Sequence, residues 1–547
     1  MLITEKSASR RQFTGSFSVA RNHALFLILI LVVLAFASPV AAQDRYENSW
    51  FKDYYPQGRN HPGNLPSDPI LLSKLRDYHF SGNWGGRGCV AASTLKEMVD
   101  EYLATPNPAY SGVGSSVPGV SVAWYSPQCG TFTYAVGLQN IEHNVPLTPA
   151  TPMGIGSMTK LVIAALTLRL EELGWFGSRG LDTPASQFLT PAQIKSLTVG
   201  DDPSHPQCPG VRLLYNREVG DYELTHFDCP DLSKVTLRNL LTANHGMYDF
   251  IDETYLPDGT DPVAVSLFSK LMDFLGIPHV APPTSTTGLG QLKWYGLQRD
   301  EAAIIGGNVA HRDFELSFGN TGYQLLGVLL EQRTGLTLDQ LVKYFITGPL
   351  HIEDMHIYSR PDPKGAIANG YDMYIDDPSD GDFPNISQVY PLASFNGYSA
   401  LNTLSIGLGS PANVNLGGGA GGLVATPRSY AVFLRAFIEG GLLGPRAQRE
   451  LNNSYVSLPD VEPGFSMGFG LQKIQIRNEP GSVDFDEYQH FGSDAGIQCL
   501  NAEIRRLDNH IAPAAGAMCF NVRRLIYPDQ FVLWNNLKGQ VMGVIAP

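Results

Sequence analysis

The residues with the clearest capacity for chemistry are a serine and a lysine at the head of an apolar run. Ser157 and Lys160 belong to the stretch GIGSMTK, residues 154–160, which precedes LVIAAL, residues 161–166. Residues three apart on a helix lie on the same face, so a helix here puts the Lys160 amine beside the Ser157 hydroxyl. A serine is a weak nucleophile until a base takes its proton, and a lysine is such a base only when burial and neighbours lower its pKa.

The run after Lys160 is apolar on nearly all sides, which is typical of a helix buried inside a domain. A polar pair at the head of a buried helix is costly unless the pair is hydrogen-bonded, so a nucleophilic site is one interpretation of the arrangement, which the pair alone does not favour. The alternative is that Ser157 caps the helix and Lys160 points into solvent, because the S-x-x-K pattern alone occurs by chance in many long proteins.

The first residues of the chain are typical of an export signal. A basic region with one acidic residue precedes the apolar run 24–35 and the small residues at 40–42, which predicts a secretory signal cut after Ala42. The protein is then secreted or periplasmic, and the alternative is an uncleaved segment that anchors it to a membrane. The stretch SRRQF at 9–13 also resembles a twin-arginine signal, so the export route stays open.

Charge and cysteine usage narrow the possible partners. The net charge is −14, and removal of residues 1–42, which carry a net +3, changes it to −17. Such an acidic chain repels phosphate backbones, which excludes nucleic-acid binding. An even number of cysteines in an exported chain predicts disulfides, and local pairing is favoured over buried free thiols. The predicted pairs are Cys89–Cys129, Cys208–Cys229 and Cys499–Cys519.

No cofactor or metal is expected from the sequence. The cysteines form no C-x-x-C pair, which argues against a zinc site. The acidic cluster between Asp376 and Asp382 lacks the spacing of an EF-hand calcium loop, and a solvated loop explains it better. The glycine-dense segment 417–422 is not followed by a lysine and a hydroxyl residue, so close backbone packing beside a site is favoured over a phosphate loop.

The elements around the Ser–Lys pair predict an α+β fold. Strand patterns occur near the beginning, at 119–125 and 131–137, and near the end, at 496–505 and 516–522. Helical patterns fill the middle, which favours one antiparallel sheet built from both termini, flanked by helices, with an inserted, mostly helical subdomain at about 175–415. The predicted order is a signal peptide at 1–42, an irregular extension at 43–85 and one domain at 86–547, with loop-rich sequence at 361–413.

Six stretches in order resemble the serine β-lactamase and penicillin-binding-protein family, in the branch of class C β-lactamases, esterases and D-aminopeptidases or D-alanyl-D-alanine carboxypeptidases. The resemblance covers about residues 90 to 540, and its fold is an α/β sandwich of the β-lactamase/transpeptidase type. The six stretches are GVSVA at 119–123, SMTK at 157–160, VTLRNLLT at 235–242, FGNTGYQLLG at 318–327, GAGGLVAT at 419–426 and HFG at 490–492.

The resemblance implies an acyl-enzyme mechanism on a small-molecule or peptide substrate. Ser157 would attack a carbonyl while Lys160 takes or shares its proton, and two backbone N–H groups, one of them that of Ser157, would hold the oxyanion. Asn320 would orient Lys160 or the substrate, and His490 would donate a hydrogen bond from the opposite wall. The substrate-binding residues implied by the resemblance are Phe318, Gly492 and Ser493.

The chain departs from the family pattern at one residue that the resemblance implies is needed for turnover. The tyrosine of the Y-x-N motif is Phe318 here, and a phenyl ring has no proton to exchange. Lys160 then works alone, a hydroxyl from Ser317, Tyr323 or Tyr488 replaces the missing one, or the domain binds without turnover. A histidine at 490 in place of a lysine also favours esters over β-lactams and cell-wall peptides, because a full charge to hold a substrate carboxylate is missing. The oligomeric state stays open.

Overall fold

The computed structural model describes most of the chain between residues 83 and 543. The predicted export segment, most of the predicted extension, Cys208 and the Asp376–Asp382 cluster lie outside the described residues. The described residues are 83–108, 113–199, 210–216, 221–227, 229–247, 304–305, 308–309, 320–358, 367–374, 392–403, 418–458, 463–477, 484–494, 496–508, 512–522 and 529–543.

The helices in these residues include the predicted ones and lie mainly between the two groups of strands. They are α1 (Ala92–Ala104), α2 (Thr159–Glu172), α3 (Pro191–Val199), α4 (Leu237–Leu241), α5 (Asn320–Thr334), α6 (Leu338–Val342), α7 (Pro427–Ile438), α8 (Pro445–Asn452) and α9 (Gln530–Val541).

The strands of the principal sheet come from both ends of the domain, while shorter strands form small sheets. In chain order they are β1 (Gly119–Ser126), β2 (Gly130–Asn140), β3 (Val145–Pro146), β4 (Met153–Gly154), β5 (Gly210–Asn216), β6 (Asp221–Phe227), β7 (Ile304–Ile305), β8 (Asn308–Val309), β9 (His356–Ile357), β10 (Tyr371–Tyr374), β11 (Ala393–Phe395), β12 (Tyr398–Asn402), β13 (Leu423–Ala425), β14 (Val456–Ser457), β15 (Phe465–Met467), β16 (Gln472–Ile476), β17 (Phe485–Gln489), β18 (Gly492–Asp494), β19 (Ile497–Arg506) and β20 (Ala514–Phe520).

The principal sheet is antiparallel and has the strand order β14-β15-β16-β17-β19-β20-β1-β2-β3, with β18 also paired to β19. The N-terminal strands meet the C-terminal ones where β1 pairs with β20, and Val122 lies opposite Met518. The strand β1 is buried along its whole length, as expected of a β-branched and aromatic strand at the centre of a sheet. The predicted α+β fold, with one antiparallel sheet built from both termini, is therefore confirmed.

Helices cover both faces of the sheet. On one face, Trp124 of β1 stacks on Trp534 of α9 with ring centroids 5.0 Å apart, in a core that α1 also enters. Because side chains alternate along a strand, Tyr125 points to the other face, where the Arg435 guanidinium of α7 lies 5.6 Å from its ring centroid. The helix α2 is buried from Thr159 to Glu171, as its apolar sequence predicts.

The region between residues 175 and 415 contains strands as well as helices. The helices α3 to α6 are accompanied by the hairpins β5–β6 and β7–β8 and by the sheet β10-β12-β11. This last sheet lies in the stretch 361–413, which the sequence analysis interprets as loop-rich. Tyr371 and Met373, two residues apart, are buried in the principal core, so β10 has one apolar face. The strand is not predicted from the sequence because it is short and polar residues surround it. Among the described helices, none is long and apolar enough to cross a membrane.

Two of the predicted disulfides are present. Cys89 and Cys129 join the segment before α1 to the turn between β1 and β2, and Cys499 and Cys519 join the neighbouring strands β19 and β20. These two pairings are confirmed. Cys229 is also disulfide-bonded.

Candidate active site

The predicted nucleophile lies in a tight turn at the edge of the buried helix α2. Ser157 belongs to a 3₁₀ turn, Gly156–Met158, that leads directly into α2. The turn is anchored because β4, which precedes it, pairs with β13 and places Gly154 opposite Val424. Gly156 has φ +50°, a left-handed conformation that favours glycine. The local sequence therefore fixes where the Ser157 side chain leaves the backbone.

Lys160 lies one helical turn after Ser157, as the spacing predicts. Its Nζ donates a hydrogen bond to the Ser157 Oγ at 2.7 Å, and the lysine is only 2% exposed. Ser157 itself is half-buried, so its hydroxyl remains within reach of a ligand. The geometry excludes the alternative in which Lys160 points into solvent.

Two further oxygen atoms hold the Lys160 amine in place. The Asn320 Oδ1, on the first residue of α5, accepts from Nζ at 2.8 Å, and the Ala420 carbonyl accepts at 3.1 Å. An ammonium group has three protons to donate, and these contacts give each of them an acceptor. The amine therefore has a fixed position between α2, α5 and the glycine-dense segment.

Close backbone packing explains the glycines around Ala420. A Cβ on Gly419 would lie 2.2 Å from the Tyr323 carbonyl oxygen of α5, and one on Gly422 would lie 2.5 Å from the Gly418 nitrogen. A side chain on Gly419 would push the segment away from α5 and carry the Ala420 carbonyl away from Lys160, whereas one on Gly422 would open the turn of the segment itself. The interpretation of this segment as close packing beside a site is confirmed.

His490 lies in the interruption between β17 and β18, and one asparagine fixes its backbone. The His490 N–H donates to the Asn501 Oδ1 at 3.3 Å, and the Asn501 Nδ2 donates to the His490 carbonyl. Asn501 belongs to β19 and is fully buried. Between β17 and β18 the regular backbone hydrogen bonds to β19 are interrupted. The Asn501 side chain bonds to the His490 backbone at this interruption and so sets the position of His490 relative to the sheet.

The His490 imidazole is neutral and lies against Ser157. Burial lowers its pKa to about 3, the nearby charge of Lys160 contributes in the same direction, and a hydrogen bond with the Ser157 backbone opposes them. Because an ammonium and an imidazolium repel each other in a buried site, the two groups share one positive charge at most near neutral pH. His490 can therefore donate or accept a hydrogen bond but does not supply a second cation.

This neutral histidine predicts acid sensitivity of the fold. Above a pH of about 6.5 the His490 ring is uncharged in both the folded and unfolded states, whereas below it only the unfolded state takes up the proton, until the folded pKa of about 3 is reached. The free energy of unfolding should therefore fall as the pH is lowered through this window, by up to about 1.4 kcal/mol per pH unit from this group.

The check is chemical denaturation between pH 7 and pH 4, with His490→Gln compared with the wild type. The variant should have a smaller slope of unfolding free energy against pH. His143→Gln serves as the matched control because His143 is exposed, and its slope should equal that of the wild type. Equal slopes for all three proteins would contradict the assignment of a buried neutral ring to His490.

The strand β18 lies with its backbone directly against the nucleophile turn. A Cβ on Gly492 would be 1.9 Å from the Ile155 carbonyl oxygen, and a Cβ on Gly156 would be 2.3 Å from the Ser493 carbonyl oxygen and 2.8 Å from the Ser493 nitrogen. Glycine is required on both sides of this contact. The structure thus brings Gly492 and Ser493, both predicted as substrate-binding residues, next to Ser157.

The hydroxyl groups considered as replacements for the motif tyrosine are placed differently. Phe318 and Ser317 lie outside the described residues. Tyr323 is 1% exposed, and its hydroxyl donates to the Leu241 carbonyl at 2.9 Å, so it is committed to packing α5 against α4. Tyr488 lies two residues before His490 on the same side of the sheet, with Arg505 5.0 Å from its ring centroid. Its ring also packs against that of Tyr455.

Sequence reasoning does not identify the roles of Asn501 and the Ala420 carbonyl. A weak signal existed for Asn501, since an amide inside the apolar strand β19 must find a partner when buried. A backbone carbonyl has no signal in the sequence, because every residue carries one. Among the described residues, no group of three or more His, Cys, Asp or Glu side chains could hold a metal ion.

Solved structures similar to this one support the fold. A D-amino acid amidase from Ochrobactrum anthropi SV3, complexed with L-phenylalanine, has a TM-score of 0.52 and 18% identity over 83% of this chain and 98% of that chain. A D-stereospecific amidohydrolase from a Streptomyces species has a TM-score of 0.50 and 17% identity over 82% and 99%. An octameric penicillin-binding protein homologue from Pyrococcus abyssi has a TM-score of 0.50 and 18% identity over 82% and 77%.

The sequence itself matches one family. No curated protein matches it, but the family model described as Beta-lactamase matches residues 95–285 and 316–496, which together are more than half of the 547 residues. The matched stretches contain Ser157, Lys160, Asn320 and His490, so the residues that meet in the site are also those that the family comparison covers. The chain belongs to the β-lactamase family.

Proposed function

We propose that the protein is an exported serine hydrolase that forms an acyl-enzyme through Ser157 and acts on an ester or on an amide bond, including that of a D-amino acid. The observation that carries the proposal is the 2.7 Å hydrogen bond between the buried Lys160 Nζ and the Ser157 Oγ. A nucleophile and a base within hydrogen-bonding distance, with the base oriented by a third group, is the recurring arrangement of nucleophilic catalysis. Here the third group is Asn320, at 2.8 Å from Nζ.

In the acylation step, Lys160 is in its neutral form, so that the proton of its contact with Ser157 lies on Oγ. The Ser157 Oγ forms a bond to the substrate carbonyl carbon, and this proton passes to the Lys160 Nζ. The carbonyl oxygen becomes an oxyanion. The carbon–oxygen or carbon–nitrogen bond to the leaving group then breaks, and Lys160 returns the proton to that group. In deacylation, water attacks the acyl carbon by the same route and the Ser157 hydroxyl is restored.

The oxyanion would be held by the backbone N–H groups of Ser157 and Ser493. The support for this pair is the contact between the nucleophile turn and β18, where the absence of a side chain on Gly156 leaves room for the Ser493 backbone. Fixed N–H groups aimed at a developing charge stabilise it without reorganisation, and loss of one donor typically costs about 10²–10³-fold in rate. The arrangement thus supports acyl transfer as the class of reaction.

The charge of the site supports neutral acyl substrates. His490 stands in the sequence where the family has K-T-G or H-x-G, and its pKa of about 3 leaves it uncharged at neutral pH. A neutral imidazole orients a carbonyl or an amide by hydrogen bonding, but it does not provide a fixed cation for a carboxylate beside the scissile bond. This favours esters and amides without such a carboxylate over penicillins. The names of two structural neighbours, an amidase and an amidohydrolase for D-configured substrates, support an amide alternative within the same class.

The direct test is the intact mass of the protein after incubation with a fluorophosphonate and, separately, with a penicillin. The expected result is one fluorophosphonate adduct on Ser157, located by peptide mapping, and slower or weaker acylation by the penicillin. An adduct on another serine would refute the nucleophile assignment. Rapid and complete acylation by penicillin would instead refute the preference for substrates without a carboxylate.

A second candidate, a binding protein without turnover on the same fold, is motivated by Phe318 in place of the motif tyrosine. Phe318→Tyr should then raise hydrolysis, because the added hydroxyl supplies the proton relay of the family pattern. The gain should be at most a few thousandfold, as estimated from general acid–base catalysis at roughly 10²–10⁴-fold, and it should be larger for poor leaving groups than for p-nitrophenolate, which leaves without protonation.

The measurement is kcat/KM for a p-nitrophenyl ester and for an alkyl ester of the same acid, in the wild type and in Phe318→Tyr. Phe188→Tyr, an aromatic substitution on a residue that packs against Phe176 away from the Ser–Lys pair, is the control and should change neither rate. A fall in both rates for Phe318→Tyr would mean that another hydroxyl already serves the relay, and Tyr488 would be the first residue to test.

Export is the remaining part of the proposal. The apolar segment before Ala42 and the two disulfides support passage into an oxidising compartment. We expect the protein recovered from the exported fraction to begin near Gln43 and to contain the pairs Cys89–Cys129 and Cys499–Cys519. N-terminal sequencing and non-reducing peptide mapping measure this. An intact N-terminus at Met1 would favour the membrane-anchored alternative, and free thiols would contradict the pairing.

A further inference from the structure

We propose that His245, in the turn that follows α4, is a positioning residue that holds the first turn of α5 and thereby sets Asn320 against Lys160. The inference rests on the proposed function, because it assigns a role in supporting the Ser157–Lys160 pair. It concerns a histidine that the resemblance to the family does not assign to the site.

The His245 ring is buried and its protonation state is fixed by its surroundings. It is 1% exposed, and its Nδ1 accepts a hydrogen bond from the Met247 N–H at 3.0 Å. A neutral imidazole carries a single proton, which must therefore be on Nε2. Burial lowers the His245 pKa to about 4, so the ring is neutral in the range where a hydrolase is assayed.

The ring occupies the space that a side chain of α5 would need. A Cβ on Gly322 would lie 2.4 Å from the His245 Nε2 and 2.7 Å from its Cδ2. Gly322 is two residues after Asn320, whose Oδ1 contacts the Lys160 Nζ at 2.8 Å. The ring therefore packs on the helix backbone within one turn of the residue that orients the lysine.

The contact between the His245 turn and α5 depends on packing and not on a hydrogen bond. The His245 Nε2 has no hydrogen-bond acceptor in the part of the chain that the structure describes, so the ring holds α5 by packing. The neighbouring Tyr323 hydroxyl ties α5 to the end of α4 by its bond to Leu241 at 2.9 Å. The two contacts join the end of α4 and the turn after it to the first turn of α5. A displacement of the His245 ring therefore moves the first turn of α5 and with it Asn320.

The relation between His245 and Gly322 allows a reciprocal test. Gly322→Ala forces a methyl group into the ring, whereas His245→Ala removes the ring and leaves a gap beside the helix. In the double variant, the new methyl group enters the space that the ring has left. Because a shift of about 1 Å in a positioning group costs on the order of 10²-fold in rate, each single variant should acylate Ser157 with fluorophosphonate roughly 10- to 100-fold more slowly. The double variant should recover at least about tenfold over Gly322→Ala, which is non-additive behaviour expected only of residues in contact.

The rate is measured per site that finally becomes labelled, so that a loss of folded protein lowers the amount of adduct and leaves the rate unchanged. His143→Ala, at an exposed histidine outside the proposed site, is the matched control. It should label at the wild-type rate. If His245→Ala does not fold, His245→Asn is used instead, because asparagine is smaller than histidine but leaves a smaller gap than alanine.

Wild-type rates per site in both single variants would overturn the positioning role, and so would a double variant no faster than Gly322→Ala. If the wild type itself is not labelled, the proposed function fails, and the positioning claim is decided by unfolding free energies of His245→Ala, Asn320→Ala and their double variant. Coupling between the two residues would then support the positioning role, and additive effects would refute it.

Discussion

Ser157→Ala should abolish ester hydrolysis and fluorophosphonate labelling while the melting temperature changes little. In the proposed mechanism the Ser157 Oγ forms the acyl bond, and losses on the order of 10⁶-fold follow removal of such a nucleophile in a serine hydrolase. The fold should tolerate the change because Ser157 is half-buried and its Oγ accepts from Lys160, which keeps two other oxygen acceptors in Asn320 and Ala420.

The measurement combines turnover of p-nitrophenyl esters with intact mass and thermal unfolding. Ser186→Ala is a suitable control, since Ser186 lies in a 3₁₀ turn before α3 and has no place in the proposed mechanism. Wild-type turnover in Ser157→Ala would show that another group is the nucleophile. Retained labelling at a new position would indicate a second reactive serine.

Lys160→Met should reduce kcat/KM by at least roughly 10²–10⁴-fold, the usual contribution of a general base, and it should also slow the labelling of Ser157 by fluorophosphonate at each site. Methionine has a similar length, but it takes no proton from the Ser157 Oγ. The fold should also lose stability, because the Asn320 Oδ1 and the Ala420 carbonyl, which accept from Nζ, are left without this donor and such a loss costs about 1–3 kcal/mol per buried group.

Lys96→Met is the matched control. Its side chain is 51% exposed and pairs with Asp100 on the surface of α1, so neither turnover nor labelling should change. Retention of wild-type kcat/KM in Lys160→Met would refute the role of Lys160 as base. A loss of activity that is fully explained by a smaller fraction of labelled sites would indicate that Lys160 acts only in folding.

Much of the site could be predicted from the chain because its parts are short-range. The i, i+3 spacing of Ser157 and Lys160 is converted into contact by a single helical turn, and the apolar sequence of α2 is enough to predict its burial. The strands β1 and β2 could also be predicted, since β-branched and aromatic residues alternate around a turn.

The strands near the C-terminus were harder to predict for a physical reason. The sequence of β16, QKIQI, is half-exposed, and β17 buries Glu487, whose carboxylate accepts from Lys538 of α9 at 2.7 Å and 2.9 Å. A polar residue that is satisfied by a partner 51 residues away looks like a surface residue in the sequence. Only two of the strands near the C-terminus, at 496–505 and 516–522, are therefore predicted from the sequence, whereas the sheet uses more of them.

The sequence by itself determined the contact between Ser157 and Lys160, the two-ended sheet and the pairing of nearby cysteines, because each depends on local spacing or on composition. The tertiary structure decided which distant groups complete the site. Asn320 reaches Lys160 across 160 residues of sequence and Ala420 across 260, while His490 is neutral because the fold removes it from water and puts it beside a lysine. Such contacts depend on how helices and strands pack in three dimensions, and the charge of a buried group depends on every neighbour that replaces its water.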